Sequence, residues 1–340
     1  MARADLVRRL VAAYGRGNDG EFRRVVSEIV DDERRAGHNA VASALDRELN
    51  EGRGPGLGAP TSLRPIPKAR DDRPLLRVGK ARYDEADLVL DADVRRLLVE
   101  VAREHRRRST LLDYGVRPRS RLLFVGPPGT GKSATAEALA AELSVPVAHA
   151  SLTAITSSFL GDTSRNLDAV VQFARAAPCL LLVDEVDVLG QDRGRADDHG
   201  ELRRVAATLL QVLEDDPGES VVVATSNHPG SLDSALWRRF DDVVIFTEPD
   251  LKQRAELLDL RLRVMDAYPP ATPWARRLDG ASAADVELVA REAVRRALVD
   301  DRRTVSSADV EHALERFRQR RRALGQPGDV PVGEGPSSSE

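Results

Sequence analysis

The chain has 340 residues, 41% of them hydrophobic and 31% charged, with 51 basic residues against 55 acidic ones and a net charge of -4. That length accommodates two or three folded units, and the composition excludes a disordered chain, a disulfide-stapled mini-protein and a protein whose overall charge is made for nucleic acid. Only four of the basic residues are lysines (Lys68, Lys80, Lys132 and Lys252), so each lysine stands out in an arginine-rich chain.

Residues 1–50 read as a small helical domain. Phe22, Val25, Val26, Ile29 and Val30 recur at helical spacing, as do Val41, Leu45 and Leu49, and glycine-rich breaks at 15–20 and 37–39 separate the helices. Residues 51–75 are rich in Gly and Pro and predict a flexible linker. Over 76–247 the pattern changes: Val94, Leu97, Leu98 and Val101 mark an amphipathic helix, and short apolar runs at 121–125, 146–150, 179–183, 220–225 and 243–246 alternate with helical segments. Buried runs of this length separated by helices predict a doubly wound, parallel, five-stranded α/β sheet. Cys179 opens the third run, where it reads as a buried thiol in a reducing compartment. Over 248–322 the strands stop, and helical patterns at 251–265, 283–299 and 307–322 predict an all-helical C-terminal domain. Ser282 with Asp285 and Ser306 with Asp309 have the spacing of capping boxes. The tail, 323–340, is rich in Gly, Pro and Ser and reads as disordered.

Chemistry concentrates at the strand ends. Gly126-Pro127-Pro128-Gly129-Thr130-Gly131-Lys132-Ser133 fits the phosphate-loop pattern between a strand and a helix. The glycines let backbone N–H groups close on phosphates, the helix N-terminus adds its positive end, Lys132 supplies charge, and Ser133 offers a hydroxyl to a divalent cation. The run 179–183 ends in Asp184 and Glu185, and a buried strand that ends in two acids gives them work to do. Asp184 suits Mg²⁺, directly or through water, and Glu185 suits activation of the water that attacks a γ-phosphate. Asn227 closes the next strand where it could orient that water, although Asn227-His228-Pro229-Gly230 is also ordinary turn chemistry. Arg238 and Arg239 follow between Trp237 and Phe240, as a guanidinium pair held by bulky neighbours.

From about residue 88 to 322 these motifs resemble an AAA+ ATPase of the AAA subfamily: Walker A at 126–133, Walker B at 180–185, sensor 1 at Asn227, arginine fingers at Arg238 and Arg239, and a helical lid. The resemblance implies ATP and Mg²⁺ as cofactors, ATP hydrolysis, and a ring, a hexamer, in which the fingers act on a neighbouring protomer's nucleotide. The Trp237-Arg238-Arg239-Phe240 arrangement is most similar to katanin, spastin and the related meiotic clade, and Gly280 to Asp285 resembles the lid motif of proteins without a sensor 2 arginine. Ser133 stands where Thr is more usual. Phe159, Leu160 and Gly161 fall at the position of the aromatic pore loop that grips a protein substrate, with packing of Phe159 into its own domain as the lesser alternative, and His199 and Gly200 fall near a second pore loop. The N-terminal domain resembles that of bacterial AAA ATPases encoded beside a subtilisin-like serine protease, which implies a protease partner and a role in phage defence. An oligomerisation or adaptor bundle is the other reading of those fifty residues.

Two alternative functions stay open at this level: a stand-alone katanin-like machine that disassembles a complex, and a DNA-associated nucleotide switch. The basic stretches Arg103 to Arg108 and Arg318 to Arg322 lack interleaved aromatics, which favours solvated helix faces over nucleic-acid contacts. The six histidines are scattered without metal-ligand spacing. The N-terminus lacks the apolar core of an export signal, and no stretch approaches the roughly 20 apolar residues of a membrane helix, so a cytoplasmic protein without a membrane partner is expected.

Overall fold

The computed structural model describes residues 6, 9, 25–26, 28–30, 65–155, 162–186, 219–228, 230 and 237–323. The pore-loop candidates Phe159, Leu160 and Gly161, the pair His199 and Gly200, most of the N-terminal domain and the tail beyond Ala323 lie outside the described residues. In chain order the elements are β1 (Leu76–Gly79), α1 (Ala92–Arg106), α2 (Arg108–Asp113), β2 (Arg121–Val125), α3 (Lys132–Glu142), β3 (Val147–Ala150), α4 (Leu152–Ile155) and α5 (Asp162–Ala176). They continue with β4 (Leu180–Val183), β5 (Val221–Ser226), β6 (Asp242–Ile245), α6 (Leu251–Leu262), α7 (Ala271–Arg276), α8 (Ala283–Val299) and α9 (Ser307–Ala323). The chain divides into two compact units, Met1–Ala59 with Arg106–Arg117, and Pro60–His105 with Pro118–Glu340. In the first, Leu6, Arg9, Val25, Val26 and Glu28–Val30 are helical, Leu6, Val25 and Val30 are buried, and the Arg9 guanidinium donates to both Glu28 oxygens at 2.9 and 3.3 Å.

The second unit is built on one sheet in the order β1-β3-β4-β5-β2-β6. Five strands are parallel, and β1 joins the edge antiparallel to β3, with Leu76 opposite Ala150 and Gly79 opposite Val147. The sheet therefore has six strands where the apolar runs predicted five. The extra strand is four residues long, buries Leu76 and half-buries Val78 while exposing Arg77 and Gly79, and so lacks the continuous apolar run that announces the central strands. Of the linker expected over 51–75, only residues 65–75 are described, and these are folded. Lys68 bridges to Pro74, the Leu75 N–H donates to the Pro67 carbonyl at 2.8 Å, and Ala69 and Leu75 are buried, so residues 65–75 lead into the sheet as folded structure.

Both faces of the sheet are covered, and side-chain alternation decides which residue meets which layer. Leu123, Val125, Leu181, Val183, Val222 and Ala224 pack with Val170, Val171 and Ala174 of α5. Their neighbours Leu122, Phe124, Leu180, Leu182, Val221 and Val223 pack with Val94, Leu98 and Val101 of α1 and with Ala136, Leu139 and Ala140 of α3. Polar groups fix the base of the sheet. Arg119 fans out to Glu104, Glu100 and Asp242 at 2.6–3.0 Å, and Asp241 takes the Ser120 and Arg121 N–H groups at 2.8 and 2.9 Å. Glu100 and Glu104 thus set acidic charge into the arginine-rich end of α1.

Helices α6 to α9 share a separate core that includes Leu258, Leu262, Val289, Ala293, Leu314 and Phe317. Ser282 caps α8 by accepting from the Asp285 N–H at 3.2 Å while its own N–H donates to Asp285 at 3.1 Å. Ser306 and Asp309 make the same box before α9, at 2.9 and 3.3 Å. Asp250 and Gln253 cap α6 in the same way, and α7 is a short helix that the apolar spacing did not announce.

Candidate functional site

β2 delivers the chain into a loop that only glycines can follow. A Cβ on Gly126, whose φ is +148°, would lie 2.1 Å from the Phe246 carbonyl oxygen, and Gly131, with φ of +96°, turns directly into α3. Lys132 begins that helix and is buried, and its Nζ donates to the Gly126 and Pro127 carbonyls at 2.8 Å each. The ammonium is thereby held inside the loop whose N–H groups and helix end favour an anion. A buried lysine held by its own loop's carbonyls is placed to exchange them for phosphate oxygens.

Ser133, one residue on, donates to Asp184 at 2.9 and 3.0 Å across 51 positions of sequence. Asp184 follows β4, which lies between β3 and β5. The Thr225 hydroxyl of β5 also donates to Asp184, and it accepts from the Glu185 N–H at 3.0 Å. Thr225 is the residue that sequence reading missed: it sits in the run Val221 to Ser226, where a threonine reads as one more β-branched strand residue. Its register beside β4 was the only available signal, with Val183 opposite Ala224.

Glu185 has a φ of +55°, a left-handed conformation uncommon for a residue with a Cβ. The turn ends the strand and brings Glu185 into the same cleft as Asp184, Thr225 and Asn227. That cleft has a volume of about 310 Å³. One wall is the phosphate loop from Pro128 to Thr135, and the other is mainly apolar, with Tyr83, Leu88, Val89, Leu90, Leu257 and Ala283 beside the Arg261–Glu287 ion pair at 3.5 Å. Residues 128–135 suit a polyphosphate and the apolar wall suits a base, a division that fits ATP. Ser133 and Asp184 offer hard oxygen donors side by side, the donor set that Mg²⁺ takes. The lid touches this loop directly: the Ala284 N–H donates to the Gly129 carbonyl at 2.9 Å, and a Cβ on Gly129 would meet Ser282 Oγ at 2.7 Å.

Arg238 and Arg239 are not among the residues that line the cleft. They precede β6, which runs parallel to β2 with Asp242 opposite Leu122, so they stand at the end of the sheet where β2 begins. The phosphate loop leaves from the far end of β2, about 15 Å of strand away at ~3.3 Å per residue. Trp237 packs against the core, Arg238 is exposed and Arg239 half-buried.

Among the described residues no helix is long and apolar enough to cross a membrane. The family model for the ATPase family associated with various cellular activities (AAA) matches residues 122–248. An uncharacterized AAA family ATPase, y4kL, of Sinorhizobium fredii is 35% identical over 336 residues, 98% of this chain and all of that protein. A katanin-like protein of Danio rerio, of the p60 ATPase-containing type, is 35% identical over 189 residues, 52% of this chain and 39% of its own. The ATP-dependent zinc metalloprotease FtsH of Kosmotoga olearia is 34% identical over 212 residues, 59% of this chain and 33% of its own. With a phosphate loop, an acidic strand end and a lid joined in one cleft, and a relative alike over its whole length, the chain belongs to the AAA family of ATPases and hydrolyses ATP.

Proposed function

We propose that this ATPase works as a hexameric ring that threads or remodels a protein substrate, with a subtilisin-like serine protease as partner in bacterial defence. The observation that carries the ring is the separation of Arg238 and Arg239 from their own chain's phosphate loop by the length of β2. Such arginines serve hydrolysis only if a second copy presents its loop to them. Family membership supports the remodelling. The protease partner and the defence role rest on the likeness of the N-terminal residues 1–50.

In this reading Lys132 leaves the Gly126 and Pro127 carbonyls for the β- and γ-phosphates, and Ser133 and Asp184 would hold Mg²⁺, which would supply positive charge to neutralise the phosphates. Glu185 accepts a proton from a water that Asn227 orients. The water oxygen bonds to the γ-phosphorus as the bond to the β–γ bridging oxygen breaks, giving ADP and phosphate. Arg238 and Arg239 of a neighbouring copy stabilise the charge on the transferring group. Phe159, Leu160 and Gly161 grip the polypeptide in the channel.

The test is ATPase rate in the presence of unfolded polypeptide or duplex DNA. Stimulation by polypeptide is expected, and stimulation by DNA alone would overturn the reading in favour of a DNA-associated switch. Purified protease encoded beside the gene should then cleave that polypeptide only when ATP turns over. Polypeptide stimulation without such cleavage would favour a stand-alone machine, a reading that the katanin match also supports.

A further inference from the structure

Glu137 is a charged side chain for which ATP hydrolysis has no direct use. It lies five residues beyond Lys132 in α3, and its side chain is only 1% exposed. A carboxylate so enclosed is costly unless it is paired and hydrogen-bonded. Nearly all its bonds come from Arg82, 55 positions earlier: the backbone N–H at 2.9 Å, Nε at 3.1 and 3.2 Å to the two oxygens, and a terminal guanidinium nitrogen at 2.5 Å. His149 of β3 stands behind, with Nε2 at 3.5 Å. Burial pushes the Glu137 carboxyl up, but the Arg82 bonds and charge outweigh it and hold the group below the usual carboxylate range.

Arg82 itself is 71% exposed and belongs to the segment that runs from β1 to α1. The same segment contributes Tyr83, Leu88, Val89 and Leu90 to the apolar wall of the cleft. A capping box at Asp84, Ala86 and Asp87 stiffens it between those contacts. Phosphate wall and apolar wall are therefore tied together by an ion pair whose carboxylate is buried and whose guanidinium is exposed, anchored on the helix that starts with Lys132.

We propose that Arg82 and Glu137 are positioning residues for the nucleoside end of the site: they fasten the strap over residues 82–90 to α3 and so set the base wall at its distance from the phosphate loop. This rests on the reading of the cleft as the ATP site. A loosened strap should cost contacts to base and ribose while leaving the phosphate loop as it is.

The experiment is calorimetric titration of the full chain with ADP and, separately, with inorganic tripolyphosphate, which has no nucleoside. Arg82→Ala leaves a buried carboxylate unpaired, so the neutral double variant Arg82→Gln/Glu137→Gln is measured beside it. Both variants are expected to lose about tenfold in ADP affinity, roughly one base-wall contact, with tripolyphosphate affinity kept within about twofold. KM for ATP should rise by a similar factor while kcat changes little. ADP affinity equal to wild type would overturn the proposal. So would an equal loss for tripolyphosphate, or failure of both variants to fold, because either assigns the pair to stability alone. Wild-type protein that binds tripolyphosphate but not ADP would instead sink the reading of the cleft as an ATP site.

Discussion

Asp184 gathers two hydroxyls from different elements, Ser133 of α3 and Thr225 of β5, and the second also fixes the Glu185 backbone. The acid that suits the metal and the acid that suits the water are thus set by one threonine. Glu185→Gln should reduce turnover by at least about 10³-fold while leaving ATP affinity near wild type, because a carboxamide cannot take the proton. Lys132→Ala should weaken ATP binding itself, which equilibrium titration separates from a loss of rate. Thr225→Val keeps shape and strand propensity but removes both hydrogen bonds, so kcat should fall about 10-fold or more with little change in melting temperature. An unchanged kcat would remove Thr225 from the site. At this scale the contiguous motif was legible: the phosphate loop at 126–133 is one stretch of chain whose glycines and lysine have few other uses. Thr225 and the Arg82–Glu137 pair were not, because their partners lie 40 to 55 positions away and only strand register and helix packing bring them together.

Among the elements, α8 and α9 show how polar chemistry fixes the lid. Asp309 is 2% exposed and accepts from Arg302 at 2.7 and 2.8 Å and from the Ser306 N–H at 2.9 Å, with Arg296 at 3.2 Å. The Arg302 hydrogen bonds, working against burial, hold its carboxyl well below the ordinary range. A carboxyl lowered in the folded state stabilises above its unfolded pKa of about 4 and loses that contribution as pH falls through the folded value. Asp309→Asn should therefore cost about 2 kcal/mol near pH 7, since Arg302 is partly solvated, and the gap to wild type should begin to narrow below about pH 4 and keep narrowing as pH falls toward the lower folded value. Denaturant midpoints measured at several pH values check both. The long helices were readable because apolar spacing and caps agree, as at Ser282 with Asp285. Strand β1 and residues 65–75 were not, since a short edge strand beside glycines and prolines has the composition of a linker until β3 pairs with it.

For the whole molecule, the sheet orders the chemistry by the two ends of its strands. Gly126, Asp184, Glu185 and Asn227 follow the ends of β2, β4 and β5, while Arg238 and Arg239 precede β6. A doubly wound sheet binds ligands beyond its strand C-termini, so the cleft follows from topology, and in the proposed ring the arginines at the strands' other ends act on a neighbour. Phe159→Ala should leave ATP binding and assembly intact and uncouple hydrolysis from work on polypeptide, a variant that unfolds pointing to core packing instead. The central claim, a site completed between copies, is tested most directly by mixing two inactive proteins. Glu185→Gln lacks the base but keeps its arginines; Arg239→Ala lacks the arginine but keeps its base. Combined in equal amounts, they should recover up to about a quarter of wild-type ATPase activity, the share of interfaces that pair an intact Glu185 with an intact Arg239. A mixture as inactive as its components, or an Arg239→Ala protein that hydrolyses ATP at the wild-type rate, would contradict it.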